Sequence, residues 1–165
     1  MDTMQASTGD TARRIDRWFA HYSDDHRNVA NQRIHLVAVP LILWSVIALL
    51  WCIPAPGTLF RDGIWAGAAM AAAGAFYVRA SRPLGLGMVA TFVLMGVATH
   101  AIAVGFGMRA LLVTALVVFA VAWVAQFVGH KLEGRKPSFL TDLTYLLIGP
   151  AWVLAKLYRR LGLRY

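Results

Sequence analysis

The chain has 165 residues, of which 59% are hydrophobic and 15% carry a charge, and its formal net charge is +8. Soluble domains contain about 25% charged residues, so this composition excludes an ordinary soluble enzyme and indicates an integral membrane protein. We expect one all-α helical bundle over residues 1–165, because this length leaves room for about four spans of roughly 20 residues and for no second domain. Cysteine chemistry is not expected, since the single Cys52 has no disulfide partner.

The N-terminal segment, residues 1–20, lacks the apolar core of a signal peptide. We expect it to be partly disordered and to lie in the cytoplasm. An interfacial helix is predicted to connect this segment to the first membrane span, and a second helix, interfacial or partly inserted, is predicted over residues 139–160.

Four apolar stretches are long enough to cross a bilayer. They cover residues 36–53, 63–80, 84–106 and 110–129, with approximate limits. The connections PAPGTLFRD, ASRP and GMR are short and rich in turn residues, so neighbouring helices should be antiparallel. The alanine-rich run AGAAMAAAGA allows close helix packing and predicts no chemistry.

The basic residues predict the orientation of the bundle. Positive side chains near span ends are retained in the cytoplasm, and all 16 Lys and Arg residues except Arg61 and Arg109 lie on one side of the four predicted spans. Both termini are therefore predicted to be cytoplasmic. A basic face can also bind nucleic acid, but no nucleic-acid motif accompanies it, and attraction to anionic lipid headgroups explains it more simply.

The predicted spans give each histidine a depth in the membrane. His26, His35 and His130 lie at cytoplasmic span ends. His100 lies about 24 Å into the third span, near the opposite surface, where a hydrogen-bonded packing role is favoured over metal ligation. His21 belongs to the polar segment FAHYSDDH, which favours exposure or a supporting role.

His26 and His35 are nine residues apart, and nine residues of ideal helix rotate by about 900°. One continuous helix would place them on opposite faces. If they share a site, either a bend or break lies between them or the metal draws its ligands from helix ends. Asp24 and Asp25 are candidate caps for a helix that begins near His26. Asn31 lies four residues before His35, shares its helix face, and is placed to orient it or to join it at a site.

His130 and Glu133 lie three residues apart in the stretch QFVGHKLEGRKPSF, which puts them on one helix face. Gly134 is a typical helix end. One interpretation gives these residues no catalytic or metal-binding role. In it, Glu133 forms an ion pair with Arg135 or Lys136, and the side chain of His130 extends to the lipid headgroups. However, histidines from two span ends, a carboxylate and a carboxamide at one depth supply the N and O ligands that divalent iron accepts.

Residues from both ends of the chain together resemble a known family. They are Tyr22, His26, Asn31, His35 and Pro40, followed by Trp123, Gln126, Phe127, Gly129, His130, Glu133, Pro137, Gly149 and Pro150. This combination is similar to the 2-hydroxy fatty acid dioxygenase family, small multi-span membrane proteins that include a fungal endoplasmic-reticulum enzyme. The resemblance covers roughly residues 18–41 and 123–165, and the C-terminal tail resembles the bacterial branch, which implies a bacterial inner membrane.

The resemblance implies a reaction and a cofactor. The reaction is an Fe(II)-dependent α-oxidation, in which a 2-hydroxy long-chain fatty acid and O₂ yield the fatty acid that is one carbon shorter. The implied metal ligands are His26, His35 and His130, with His21 in reserve. The site would lie at the cytoplasmic membrane face, with the acyl chain between the spans or in lipid.

The resemblance also implies roles for polar residues near these ligands. Asn31 and Glu133 are the implied catalytic residues, either as a fourth ligand or in support of the ligands. The fungal pattern has one more residue before the glutamate than this chain has, which leaves the role of Glu133 open. Arg33, Arg135 and Lys136 are candidates for binding the substrate carboxylate, and each is also typical of a lipid-facing surface.

Two other classes of function remain open. A non-catalytic scaffold or lipid-binding protein would form the bundle without metal and would tolerate the loss of each histidine. A transporter needs a polar path across the membrane, and the polar residues of the spans make no continuous path. These residues are Thr91, Thr99, His100, Thr114 and Gln126.

Overall fold

The computed structural model describes residues 14–24, 26–57, 61–134 and 142–165. Every regular element within these ranges is an α-helix, as predicted. The helices are α1 (Arg14–Asp24), α2 (Val29–Trp51), α3 (Ile64–Ala80), α4 (Arg82–Phe106), α5 (Met108–Glu133) and α6 (Asp142–Arg160).

Three of these helices, α2, α4 and α5, are long and apolar enough to cross a membrane. Large apolar side chains such as Val37 of α2, Leu94 of α4 and Val121 of α5 are exposed on them, as a lipid-facing surface requires. Helix α3 has only 17 residues, which is the lower limit for a hydrocarbon core of about 30 Å. The fourth span and the interfacial helices therefore remain predictions.

Helix α1 occupies part of the segment that we expected to be partly disordered. Ile15, Phe19 and Tyr22 recur at intervals of four and three residues and form one apolar face. All three are buried in a core that includes Ile148 and Trp152 of α6. This short apolar face packs on the C-terminal helix and orders residues 14–20. The expected partial disorder remains a prediction for residues 1–13, which lie outside the described ranges.

The predicted break between His26 and His35 is present. Helix α1 ends at Asp24 and α2 begins at Val29, so His26 lies in the non-helical stretch 26–28. Because of this stretch, His26, which precedes α2, faces the same site as His35, which lies within α2.

The cap of α2 differs from the prediction. The side chain of Asn28 accepts hydrogen bonds from the backbone N–H groups of Ala30 and Asn31 at 2.8 and 3.3 Å, which is N-cap geometry. Asp24 is instead the last residue of α1, and Asp25 lies outside the described residues. The expected caps were wrong because α2 begins three residues later than expected.

Residues of α2, α5 and α6 lie close together at one end of the bundle. Helices α2 and α5 pack along each other, and α6 packs on α1, α2 and α4. Helix α5 ends at Glu133, and the C-cap residue Gly134 has a φ of 73°. Glycine adopts this left-handed conformation at little cost, so the predicted helix end is confirmed.

Candidate metal centre

Three histidines from three parts of the chain converge at this end of the bundle. His26 comes from the stretch before α2, His35 from the second turn of α2 and His130 from the last turn of α5. Each offers a ring nitrogen, and these three nitrogens lie within 4.8 Å of one another. His26 and His35 are buried and His130 is partly exposed. We refer to the three residues as the histidine cluster.

Backbone carbonyls fix the two buried rings of the cluster. Nδ1 of His26 lies 2.7 Å from the carbonyl oxygen of Tyr22, and Nδ1 of His35 lies 3.0 Å from that of Asn31. A carbonyl oxygen can only accept, so both Nδ1 atoms carry the proton. In the neutral rings, each Nε2 atom is then left with a lone pair.

The two Nε2 atoms lie 3.0 Å apart. Facing lone pairs at this distance repel each other unless a cation or a proton binds to them. Two nitrogens bound to one ion at about 2.1 Å, and at right angles, would lie about 3.0 Å apart. The pair of His26 and His35 therefore fits a transition-metal ion. Imidazole suits Zn, Cu, Fe and Ni alike, so the donors do not by themselves select iron.

A cavity of about 70 Å³ adjoins the histidine cluster. We refer to it as the histidine cavity. Besides the three histidines, its walls comprise Tyr22, Val39, Ile42, Leu43, Trp123, Gln126, Gly149 and Pro150. A water molecule takes up about 30 Å³ in the liquid, so the cavity accommodates about two water-sized groups. That is room for the polar head of a substrate and not for a long chain.

Two polar residues of the cavity were missed as site residues by sequence reasoning. The ring of Tyr22 stacks on that of His26, with centroids 4.2 Å apart and an interplanar angle of 13°. Gln126 is 7% exposed, and its Oε1 has no hydrogen-bond partner among the described residues. Such an acceptor is costly to bury unless a ligand binds it. The signal for Gln126 was its spacing, since it lies one helical turn before His130.

Glu133 binds the start of α2. Its carboxylate accepts hydrogen bonds from the backbone N–H of Arg27 at 2.8 Å and of Asn28 at 3.0 and 3.1 Å. It also accepts one from Nδ2 of Asn31 at 2.9 Å. We refer to these contacts as the Glu133 clasp. The clasp ties the end of α5 to the beginning of α2, and it supports the alternative in which Glu133 positions the ligands.

Asn31 is fully buried and connects the clasp to the cluster. Because the carboxylate of Glu133 can only accept, the side-chain nitrogen of Asn31 must face it. Oδ1 of Asn31 then lies against Gly129 and has no hydrogen-bond partner among the described residues. Asn31 does not line the cavity, and its contact with the histidine cluster is the backbone carbonyl that holds His35.

A model of one protein family, described as 2-hydroxy-palmitic acid dioxygenase Mpo1-like, matches residues 12–161 of the chain. The chain belongs to the Mpo1-like family. The match covers all six described helices, and it confirms the resemblance seen at the two ends of the sequence. No curated protein and no solved structure matches the chain. The family description relates this Mpo1-like chain to 2-hydroxy fatty acid oxidation.

In this Mpo1-like protein, Lys156 of α6 supports His26 from outside the cavity. Its Nζ donates to Oε1 of Gln32 at 2.7 Å, and Nε2 of Gln32 donates to the backbone carbonyl of His26 at 2.7 Å. Nζ also lies 3.9 Å from the centroid of the Trp152 ring, a cation–π arrangement. Burial lowers the pKa of Lys156, and the positive charges of Arg159 and Arg160 in the same helix lower it further. Sequence reasoning missed this support.

The remaining predicted site residues do not line the histidine cavity or are not described. Arg33 is exposed and is not among the cavity residues. The side chain of His21 lies outside the described residues, as do Arg135 and Lys136, so their roles remain predictions. His100 is exposed, and its ring centroid lies 5.9 Å from that of Trp51 at the other end of α2.

Proposed function

We propose that this Mpo1-like protein is a 2-hydroxy fatty acid dioxygenase that works with Fe(II) held by His26, His35 and His130. The observation that carries the proposal is the pair of Nε2 atoms 3.0 Å apart, on two buried rings whose Nδ1 protons are already held by carbonyls. This pair is suited to a metal ion, and the family description supplies the class of substrate.

The proposed reaction converts a 2-hydroxy acid and O₂ into the acid one carbon shorter, CO₂ and water. The bond between C1 and C2 breaks, C2 is oxidised from an alcohol to a carboxyl group, and C1 leaves as CO₂. The four electrons released reduce O₂, so the reaction needs no external reductant. When bound, Fe(II) supplies the electron transfer that lets O₂ react and open positions for ligands.

The residues of the chain bind and orient the reactants. The carbonyls of Tyr22 and Asn31 keep His26 and His35 in one tautomer and one ring orientation, which raises their basicity as ligands. The unpartnered Oε1 of Gln126 is suited to accept a hydrogen bond from the 2-hydroxyl group. The mostly apolar walls of the cavity exclude bulk water from the reacting carbons.

The cavity also explains a preference for the 2-hydroxy position. The carboxylate and the 2-hydroxyl group lie on adjacent carbons, so both fit into a cavity of about 70 Å³ and face the histidine cluster together. A 3-hydroxyl group lies one carbon farther away, and an unhydroxylated acid has no second oxygen donor to present.

The proposed setting is a bacterial inner membrane, with both termini and the site on the cytoplasmic side. The helices α2, α4 and α5 support a membrane location, and the distribution of Lys and Arg supports the orientation. Membrane lipids surround the bundle in this setting. Arg33, Arg135 and Lys136 would attract the substrate carboxylate at the membrane surface.

The test is turnover by the purified, Fe(II)-loaded protein in nanodiscs. With 2-hydroxypalmitic acid in air, we expect pentadecanoic acid, one O₂ consumed and one CO₂ released per molecule of acid. Palmitic acid and 3-hydroxypalmitic acid should react poorly, and the absence of O₂ or the addition of a strong iron chelator should stop the reaction. A folded, iron-loaded preparation that leaves 2-hydroxypalmitic acid unchanged in air would contradict the enzyme proposal and favour a scaffold.

A further inference from the structure

An apolar groove lies between α2, α4 and α6. Its volume is about 180 Å³, and its walls include Pro40, Met88, Met95, Val153, Leu154 and Leu157. Thr91 is the polar side chain in its wall, and the Thr91 hydroxyl donates to the carbonyl of Gly87 at 2.9 Å. The groove therefore offers an apolar surface without an unsatisfied hydroxyl group.

The groove and the histidine cavity share two wall residues, Leu43 of α2 and Pro150 of α6. Leu43 follows His35 by eight residues, which is about 12 Å along a helix. The groove therefore adjoins the cavity at these two residues, and on α4 it extends from Met88 to Met95. Proline has no backbone N–H, so Pro150 presents no donor at the junction.

A larger apolar hollow lies between α3 and α4, with a volume of about 860 Å³. Its size alone would make it the stronger candidate for a long chain. However, it extends between Arg79 and His100, and it shares none of the described residues of the histidine cavity. A ligand whose head lies at the cluster would not reach it through a shared wall.

The substrate needs a second compartment for its chain. A long-chain 2-hydroxy acid carries its polar groups on two adjacent carbons, and the remainder is an alkyl chain. The cavity of about 70 Å³ accommodates the head, so the chain must leave it. The two spaces adjoin at Leu43 and Pro150, and both of these side chains are apolar.

We propose that the groove between α2, α4 and α6 binds the alkyl chain of the substrate while its head lies in the histidine cavity. The proposal rests on the proposed function for the class of head group. Under this proposal, α4 and α6 contribute no histidine to the cluster but determine which alkyl chains the protein binds.

Photo-crosslinking tests the position of the chain without relying on turnover. The probe is 2-hydroxypalmitic acid with a diazirine in the middle of its chain, bound to the full-length protein in nanodiscs without O₂. We expect labels on residues 88–95 of α4 and 153–157 of α6, and excess 2-hydroxypalmitic acid should remove them. Labels confined to α3 or to the outer face of α5 would overturn the proposal. Labels that excess phospholipid removes, but 2-hydroxypalmitic acid does not, would also overturn it.

Two tryptophan substitutions at adjacent residues, one inside the groove and one outside it, test whether the groove binds the alkyl chain. Met95→Trp fills the groove, whereas Leu94→Trp places the same ring on a position that is 71% exposed. Met95→Trp should weaken binding of 2-hydroxypalmitic acid by about 5- to 160-fold, the equivalent of 1 to 3 kcal/mol of overpacking. Binding of 2-hydroxyhexanoic acid, whose chain ends before the groove, should not change. Leu94→Trp should change neither.

Leu154→Trp, on the α6 side of the groove, repeats the test if the first variant does not fold. Equal iron content and unfolding temperature in the variants show that the centre is intact. Unchanged binding of the long acid in folded Met95→Trp and Leu154→Trp would overturn the chain site. Labelling of the groove without any turnover in air would retain the chain site and contradict only the proposed reaction.

Discussion

The side-chain oxygen of Asn31 lies against the backbone of Gly129, where α2 and α5 are in close contact. A Cβ atom on residue 129 would clash with this oxygen. Asn31 cannot readily turn away, because its side-chain nitrogen is held by Glu133 at 2.9 Å. The absence of a side chain at residue 129 therefore fixes how closely the two ligand-bearing helices approach.

Gly129→Ala should separate these helices or displace Asn31. Although Ala favours a helix more than Gly does, the clash should lower the free energy of unfolding by about 1 to 3 kcal/mol and reduce bound iron. Gly105→Ala, also within a helix but with nothing within 4 Å of the added Cβ, should be neutral or stabilising by up to about 1 kcal/mol. Unfolding in one detergent and iron analysis provide the measurements. A Gly129→Ala protein with native stability and iron would show that Asn31 moves without cost.

Each histidine of the cluster should be needed for metal binding. His26→Ala, His35→Ala and His130→Ala should each remove most of the bound iron, because a small site rarely compensates for the loss of a ligand. His100→Ala is the matched control and should retain its iron. Iron per protein is measured by mass spectrometry after purification. Equal losses in all four variants would point to unfolding instead of ligation.

The clasp predicts a specific phenotype for Glu133. Glu133→Gln removes the charge and places an amide nitrogen among N–H donors, so it should weaken iron binding by about 10- to 100-fold and lower the unfolding temperature. Asp24→Asn is the control, since Asp24 forms an exposed ion pair with Arg27 at 3.2 Å, and such pairs contribute little. Iron affinity is measured by chelator competition. Complete loss of iron from Glu133→Gln without any loss of stability would instead make Glu133 a direct ligand.

Gln126→Leu should separate recognition of the hydroxyl group from binding of the metal. The variant should keep its iron, and its affinity for 2-hydroxypalmitic acid should fall by about 1 to 3 kcal/mol, because the hydroxyl group loses its acceptor. Its affinity for palmitic acid should not fall. Binding is measured without O₂ by displacement of a fluorescent fatty acid. An equal effect on both acids would mean that Gln126 acts only through packing.

The distribution of Lys and Arg predicts on which side of the membrane each end of the bundle lies. A reporter fused after Tyr165 should be cytoplasmic, and a reporter within Ala55–Arg61 should lie on the opposite side, because of the distribution of Lys and Arg. Protease protection in membrane vesicles gives the same information independently. A C-terminal reporter on the non-cytoplasmic side would reverse the predicted orientation of the site.

Local helix geometry explains which parts of the site the sequence predicted. Asn31 with His35, and His130 with Glu133, are pairs at one helical turn, so their shared faces follow from spacing alone. The rotation between His26 and His35 predicted a break between them as one of two ways in which they could share a site. These inferences need only the helix period, which the chain obeys in the structure.

The missed features depend on contacts between distant parts of the chain. Two of the three residues that bind the Glu133 carboxylate, Arg27 and Asn28, do so through backbone N–H groups more than 100 residues earlier in the chain. A backbone N–H group is common to almost all residues, so these contacts cannot be predicted from residue type. Lys156 reaches His26 only through Gln32, which no spacing rule connects to it. The sequence predicted an N-terminal helix but not its packing, because the short apolar face of α1 becomes meaningful only when α6 covers it.

The position of His26 has an electrostatic consequence. The carbonyl of Tyr22, which its ring binds, lies in the last turn of α1. A helix C-terminus carries about half a negative charge, and α5 also ends beside the cluster, at Glu133. The two helix ends favour a cation, by about 0.3 to 1 kcal/mol each, and disfavour a carboxylate in the same place. Binding should therefore be ordered, with the fatty acid entering the cavity only after the positive charge is in place.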